Sequence, residues 1–186
     1  MKKYEYIFYS VVGDHAGETV EQIINRKLEE INRFGYSLWS IKMDRKSLEQ
    51  VWEFPEDGEV VVVAKISSQA KDPVIVNDVC RAQKMRWKKD DEAIIPEGVD
   101  ATFTSGKNYQ AYVVQSYEML EKPEKFDFGS YITLLKDGRT KSYKERFKCK
   151  QFQNTFARYD DAIYQKCEKQ ITVLLRLKYP FAVNIE

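Results

Sequence analysis

The basic stretch "KDGRTKSYKERFKCK", residues 136–150, has the clearest capacity for recognition chemistry in this chain. Its Lys and Arg residues outnumber its two acids by five. Asp137-Gly138 lies between two β-prone runs and predicts a hairpin turn. Alternate residues of the second arm share a face, which predicts a cationic stripe that contacts nucleic-acid phosphates. That stripe comprises Lys144, Arg146, Lys148 and Lys150. The alternative is an edge strand that its lysines protect from aggregation.

Aromatic side chains are the second candidate for binding, because they form 13% of the chain. Trp39, Trp52 and Trp87 all fall near ends of predicted strands or in loops beside polar residues. A ring with one free face can stack a nucleobase, whereas the alternative role is core packing. Together with His15 in the loop "GDHAG", they are the predicted ligand-binding residues of an aromatic pocket. Convergence of the three Trp on one concavity would favour a base pocket, and scattered burial would favour a protein-interaction surface.

Residues 81–98, "RAQKMRWKKDDEAIIPEG", place five cations around Trp87 and then three carboxylates. These charges nearly cancel, so a simple phosphate-binding patch is not predicted here. The stretch is interpreted as a long loop or short helix, in which Trp87 closes the core or lies over a pocket.

Several enzyme classes are excluded by what the sequence lacks. There is one histidine and no GxSxG elbow, so no Ser or Cys hydrolase triad is indicated. The eight glycines do not cluster into a phosphate-binding loop. Three cysteines without a CxxC pair indicate neither a zinc site nor a disulfide framework. We therefore predict no catalytic residues, metal or cofactor, with carboxylate-based catalysis as the weakest alternative.

Length and charge predict one soluble domain. The chain has 186 residues and a net charge of +1, so no overall field attracts nucleic acid or membranes. No apolar run reaches the ~20 residues that span a bilayer. We expect a single globular domain over residues 1–186, a cytoplasmic location, no membrane partner, and an oligomeric state that includes a possible homo-oligomer.

Periodicity predicts the elements that position these residues. "TVEQIINRKLEEINRFG" has apolar residues at helical spacing, a capping box at Thr19 and Gln22, and a stop at Gly35. Its other face is mixed in charge, which is typical of plain solvation. The predicted strands are "KKYEYIFYSVV", "YSLWSIK", the buried "GEVVVVAKISS" and "ITVLLRLKY", with a polar excursion at 44–57 and a helix in "NTFARYDDAIYQKCEKQ". This pattern predicts an α+β fold: a mixed or antiparallel curled sheet or small barrel, an N-terminal covering helix and a second helix near the C-terminus.

The strand, helix, Trp-bearing strand and valine-rich strand, with "NYQA" at 108–111, give the chain an architecture that resembles the PUA-like superfamily. The ASCH and EVE branches of that superfamily bind RNA or modified bases. The Gly-x-Lys-x-x-Glu-x-Arg signature of the ASCH branch is missing. The resemblance implies an aromatic pocket for a flipped or free base and a basic rim. Our first hypothesis is a non-enzymatic domain that binds RNA, DNA or a nucleotide-like or modified-base ligand through an aromatic pocket and the basic hairpin. The alternative is a protein-interaction or assembly module, such as a phage- or defence-associated factor.

Overall fold

The computed structural model describes residues 3–15, 17–67, 79–104, 109–134, 140–142 and 155–186. Two helices lie within these ranges, α1 (Val20–Phe34) and α2 (Arg45–Val51). The strands are β1 (Tyr6–Gly13), β2 (Ser37–Ile41), β3 (Val60–Ser67), β4 (Val79–Arg81), β5 (Lys84–Trp87), β6 (Asp91–Ile94), β7 (Thr102–Thr104), β8 (Tyr109–Asp127), β9 (Tyr131–Leu134), β10 (Thr140–Ser142), β11 (Thr155–Tyr159) and β12 (Glu168–Ile185). None of the described helices is long and apolar enough to cross a bilayer.

Helix α1 begins and ends where the sequence predicts. The Thr19 side chain accepts a hydrogen bond from the Gln22 backbone N–H at 3.2 Å, and the Gln22 side chain accepts one from the Thr19 N–H at 2.9 Å. Gly35 ends the helix with φ 83°, a left-handed conformation that costs glycine little. Its N–H donates to the Ile31 carbonyl at 2.8 Å. The predicted covering helix is therefore confirmed.

The sequence pattern predicted the second helix at the wrong position. The structure has it at α2, inside the stretch interpreted as a polar excursion, where Asp44 caps it by accepting from the Ser47 N–H at 3.1 Å. The helix predicted near the C-terminus is wrong, because its first residues form β11 and the following residues form a turn and an irregular segment. β11 is paired on both sides, with β1 and with β9. That pairing overrides the local helical spacing.

A ten-stranded mixed sheet dominates the fold. Its strand order runs β10-β9-β11-β1-β3-β12-β5-β6, with β8 also paired to β12, and β2 to β8. β1 and β3 are parallel, whereas the other pairs are antiparallel. The valine run of β3 lies between β1 and β12 and is at most 1% exposed over Val60–Val63, so the prediction of a central strand buried on both faces is confirmed. The mixed sheet is as expected, although the fold is mostly sheet and its described strands do not close into a barrel.

Strand β12 organises the sheet. β8 pairs along one edge of β12, while the other edge pairs first with β3 and then with β5. The two halves are separated by a break in register between Leu177 and Ala182. Phe181 within this break has φ 69°, a conformation that a bulky side chain rarely adopts.

Residues 81–98 differ from the predicted long loop or short helix. They contain β5 and β6, an antiparallel pair that turns at Lys88, which has φ 55°. β6 lies at one end of the strand order. The cations of β5 and the acids of β6 lie on paired strands of an edge hairpin, a charge pattern that is easily mistaken for a solvated loop.

Three apolar clusters hold the sheet. The first lies beneath α1 and α2 and contains Phe8, Val62, Tyr112 and Trp52. The second lies on the opposite face of β1 and β3. It includes residues from the C-terminal part of β8 and the N-terminal part of β12. The third joins β2, β8 and β12 to the segment 82–101. Residues of this last segment form one wall of the cleft described next.

Candidate functional site

The three predicted Trp residues all contact the first apolar cluster. Trp52 is 7% exposed, and its indole N–H donates to the Ala182 carbonyl at 2.7 Å. Trp39 is half-buried on β2 with its ring 6.0 Å from that of Tyr117, and Trp87 is half-buried on β5. Neither of the two clefts described below is lined by a Trp. The three Trp therefore pack on one apolar cluster, and their role in ligand binding stays a prediction.

The other predicted site residues lie apart from these rings. His15 is exposed and forms a bridge in which its N–H and carbonyl pair with Glu18, at 3.0 and 2.9 Å. Lys144, Arg146, Lys148 and Lys150 lie outside the described residues, so the cationic stripe stays a prediction. "NYQA" is described from Tyr109 onward, and the Gln110 side chain points inward, where it accepts from the Met43 N–H at 2.8 Å.

A cleft of about 450 Å³ lies between α1 and the segment 97–102. We call it the α1 cleft. Its helical wall consists of Arg26, Glu29, Glu30 and Arg33, with Phe34 at the end. Residues at i, i+3, i+4 and i+7 share one helical face, so this polar stripe follows directly from the sequence. The facing wall is formed by residues 97–102, and Arg81 also lines the cleft.

Arg26 ties the two walls together. Its guanidinium pairs with both oxygens of Glu18, at 3.0 and 3.2 Å, and donates to Asp100 across the cleft at 2.8 Å. Burial alone would lower the pKa of Arg26, but these carboxylates outweigh it and the pKa is raised. Burial likewise opposes ionisation of Asp100, yet hydrogen bonds from Thr102 and Arg26 and the charge of Lys27 lower its pKa overall. Both groups therefore remain charged and mutually satisfied.

Arg81 and Gly98 shape the facing wall. The Arg81 guanidinium donates to the carbonyls of Pro96 and of Val99, the latter at 3.3 Å, and so holds the turn in place. A Cβ at Gly98 would lie 2.6 Å from the Phe34 Cζ atom, which shows how closely this backbone packs on the ring. Arg33 stacks on the same Phe34 ring, with its guanidinium carbon 4.9 Å from the ring centre.

Glu30 is the most buried carboxylate that lines the α1 cleft, and its Oε1 lies 3.6 Å from the Arg26 guanidinium. It is 7% exposed, and its Oε1 accepts from the Asp100 N–H at 3.3 Å. Its Oε2 is buried and has no hydrogen-bond partner among the described residues. Burial raises the pKa of Glu30, although the Lys27 charge partly opposes the rise. A buried oxygen of this kind costs free energy unless a donor reaches it.

Lys27 lies on the inner side of α1, next to Glu30. Its ammonium donates to the Leu38 carbonyl of β2, and burial lowers its pKa. Tyr117 and Ser37 share a buried hydrogen bond of 2.9 Å nearby, and burial raises the pKa of Tyr117. The predicted apolar face of α1 is confirmed, since Val20, Ile23 and Ile24 are buried. The expectation that the charged face is simply solvated is wrong at Glu30, which is buried beside Lys27.

What the α1 cleft can bind depends on which of its charged side chains already have partners. Arg26 and Arg81 are committed to carboxylates and carbonyls, as shown above. Glu29 and Glu97 form no ion pair within the described part of the chain, and neither does Arg33. The unused groups are therefore three acceptors, Glu29, Glu97 and Glu30 Oε2, against the single cation Arg33.

A second cleft of about 630 Å³ is lined by Lys3, Tyr4, Glu5, Arg158, Tyr159, Asp160 and Asp161. Lys3 donates to the Tyr159 hydroxyl at 2.9 Å. The charges that line this second cleft are mixed. In the described ranges no three His, Cys, Asp or Glu residues are grouped so as to hold a metal ion. Within the described residues, Cys80 and Cys167 form no disulfide.

Sequence reasoning passed over the α1 cleft because its helical wall looked like a solvated charged face. The available signal was Lys27 and Glu30, two charges placed next to the apolar stripe. No protein-family model matches the chain, and no curated protein or solved structure is significantly similar to it. The resemblance to the PUA-like superfamily remains a prediction.

Proposed function

We propose that this protein is a non-enzymatic interaction module that receives a basic side chain of a partner protein in the α1 cleft. The observation that carries the proposal is the buried Glu30 carboxylate, whose Oε2 lacks a partner within the described structure. A cationic donor would satisfy that oxygen and compensate its charge. Charge-assisted hydrogen bonds of this type are stronger than neutral ones.

The balance of unused groups supports a basic ligand. Glu29 and Glu97 add two uncommitted carboxylates to Glu30, and only Arg33 opposes them. An anionic ligand such as a phosphate would meet more negative than positive unused groups. The volume of about 450 Å³ suits a side chain with its flanking backbone.

The placement of the Trp residues also favours an interaction module over a base pocket. The Trp52 indole is buried with its N–H bonded inside the protein. Trp39 and Trp87 pack against the same apolar cluster from different strands. The buried Trp52 ring and the packed faces of Trp39 and Trp87 leave less ring surface for enclosing a flipped base, which supports the interaction module.

Calorimetric titration with the probe acetyl-Ala-Lys-Ala-Arg-Ala-amide tests the proposal. We expect Glu30→Gln to weaken binding about tenfold or more, since it removes a charge-assisted hydrogen bond. Glu21→Gln is the matched control, because Glu21 is an exposed residue of the same helix. Equal loss in both variants, or equal binding of the acidic probe acetyl-Ala-Glu-Ala-Asp-Ala-amide, would refute the role of the cleft.

A second candidate function is nucleic-acid binding through the basic stretch 136–150. It is supported by the position of β10, which lies at one end of the strand order and leads into Lys144, Arg146, Lys148 and Lys150. β2, the strand next to α1, lies off that order and pairs with β8, so it is not a neighbour of β10. The two sites are therefore tested separately.

The expected result for this second function is oligonucleotide affinity that falls steeply with salt and is weakened by Lys148→Glu combined with Lys150→Glu. Glu30→Gln leaves that affinity unchanged. Binding that ignores both salt and the double substitution would exclude the nucleic-acid function. Light scattering of the free protein and of its mixtures gives the stoichiometry in both cases.

A further inference from the structure

We infer that the group received in the α1 cleft is a guanidinium, so that the partner is recognised through an arginine rather than a lysine. This inference rests on the proposed function. It follows from three properties of the cleft: the placement of its acceptors, its aromatic content, and the behaviour of the two cations that the protein itself places there.

The acceptors lie on both walls. Glu29 and Glu30 belong to α1, and Glu97 belongs to the facing segment. A ligand that serves them together needs donors that point in several directions. A guanidinium has five N–H donors in a fixed plane, whereas an ammonium has three on one compact centre. The Arg26 fork, which pairs with both oxygens of Glu18, shows this geometry within the same cleft.

Aromatic content argues against a methylated or quaternary ammonium. Such ligands are held by cages of several rings. Phe34 is the single aromatic residue that lines the α1 cleft. Its ring already stacks on Arg33 and contacts the Gly98 backbone. Recognition here therefore depends on carboxylates, which favours the group with the most donors.

Lys27 and Arg26 provide an internal comparison of the two cations. They are neighbours on α1 with different partners: the partly exposed Arg26 bonds to Glu18 and Asp100, whereas Lys27 is 6% exposed and donates to the Leu38 carbonyl. Burial lowers the pKa of Lys27, while the pKa of Arg26 is raised by its bonds to Glu18 and Asp100. A guanidinium is more weakly hydrated than an ammonium, and it keeps its charge when it is partly buried. A donor that reaches the buried Glu30 oxygen must give up its water, so the guanidinium is the better occupant.

Three peptides of one length test the inference: acetyl-Gly-Gly-Xaa-Gly-Gly-amide with Xaa as arginine, lysine or citrulline. Citrulline has the shape of arginine without its charge. By calorimetry we expect the arginine peptide to bind about tenfold more tightly than the lysine peptide. We expect no measurable binding of the citrulline peptide. In Glu30→Gln the preference for arginine over lysine should fall towards unity, and circular dichroism verifies that this variant is folded.

The outcomes separate the inference from the proposed function. If lysine binds as tightly as arginine and Glu30→Gln weakens both, the cleft is a general basic site and the guanidinium inference is wrong. If no cationic peptide binds better than citrulline, the proposed function itself fails. A preference for arginine that Glu21→Gln retains and Glu30→Gln loses supports both.

Discussion

The α1 cleft and the β5–β6 hairpin contain similar numbers of charges but compensate them differently. In the hairpin, Arg86 pairs with Glu92 at 3.1 Å and with Glu186 at 2.5 Å, and all three side chains are about half exposed. In the cleft, Glu30 is buried and one of its oxygens has no described partner. Compensated charges at the surface contribute solubility and little else. A buried carboxylate oxygen without a hydrogen-bond donor has a cost in stability, and such groups cluster at functional sites.

Replacement of Arg26, which joins the two walls of the α1 cleft, should have the largest effect on stability. Arg26→Met leaves Glu18 and Asp100 without their cation, and we expect a loss of about 3 kcal/mol in the free energy of unfolding at neutral pH. Because Asp100 has a lowered pKa in the folded state, its contribution is present above its unfolded pKa and is lost as pH falls. The deficit of the variant should therefore shrink in acid.

Urea titrations at pH 7 and pH 3 measure this deficit. Arg45→Met is the control. Arg45 also pairs with a glutamate, Glu49, but the Arg45 side chain is 88% exposed. A deficit no larger than that of the control would show that the cleft and the hairpin do not differ in the way proposed.

A backbone test of the cleft comes next in size. In Gly98→Ala the new Cβ would meet the Phe34 ring at 2.6 Å, which forces the wall or the ring to move. We expect a cost of about 1–3 kcal/mol, as for other overpacked sites. Gly17→Ala is not a suitable control, because Gly17 has φ 82° and alanine would be strained there. The control is Ser40→Ala, since Ser40 is exposed. An unchanged melting temperature would mean that the Gly98 turn is not packed on Phe34.

A pH-dependent effect is expected for Glu30. Its folded pKa is raised, so its contribution to stability is present below the unfolded pKa and is lost as pH rises through the folded value. The glutamine side chain of the Glu30→Gln variant cannot titrate. The melting temperature of this variant should therefore rise relative to that of the wild type between pH 4 and pH 8. Glu21→Gln should run parallel to the wild type. A constant difference for Glu30→Gln across this range would contradict the buried, ionisable state of the group.

The hairpin should give the smallest response. Arg86→Gln removes two ion pairs at a half-exposed position, and we expect a change under about 1 kcal/mol that disappears at high salt. Thermal unfolding at low and high salt measures it. A loss comparable to that of Arg26→Met would remove the contrast between the two regions.

Local patterns predicted the elements whose signals lie within one segment. The box at Thr19 and Gln22 and the stop at Gly35 act over a single turn, so α1 is confirmed to the residue. β11 was mistaken for a helix because its partners β1 and β9 are distant in sequence. The α1 cleft was missed for a similar reason: Asp100, whose N–H donates to Glu30, and Gly98, which packs on Phe34, lie far from α1 along the chain.

The position of β12 between β3, β8 and β5 has a kinetic consequence. Its pairs join residues far apart in sequence, such as Leu175 with Val62, and contacts of this range are slow to form. Until β12 docks, the valine-rich edge of β3 is open to pairing with another chain. Folding yield should therefore depend on protein concentration, with the β3 edge as the point at which aggregation competes with the native fold.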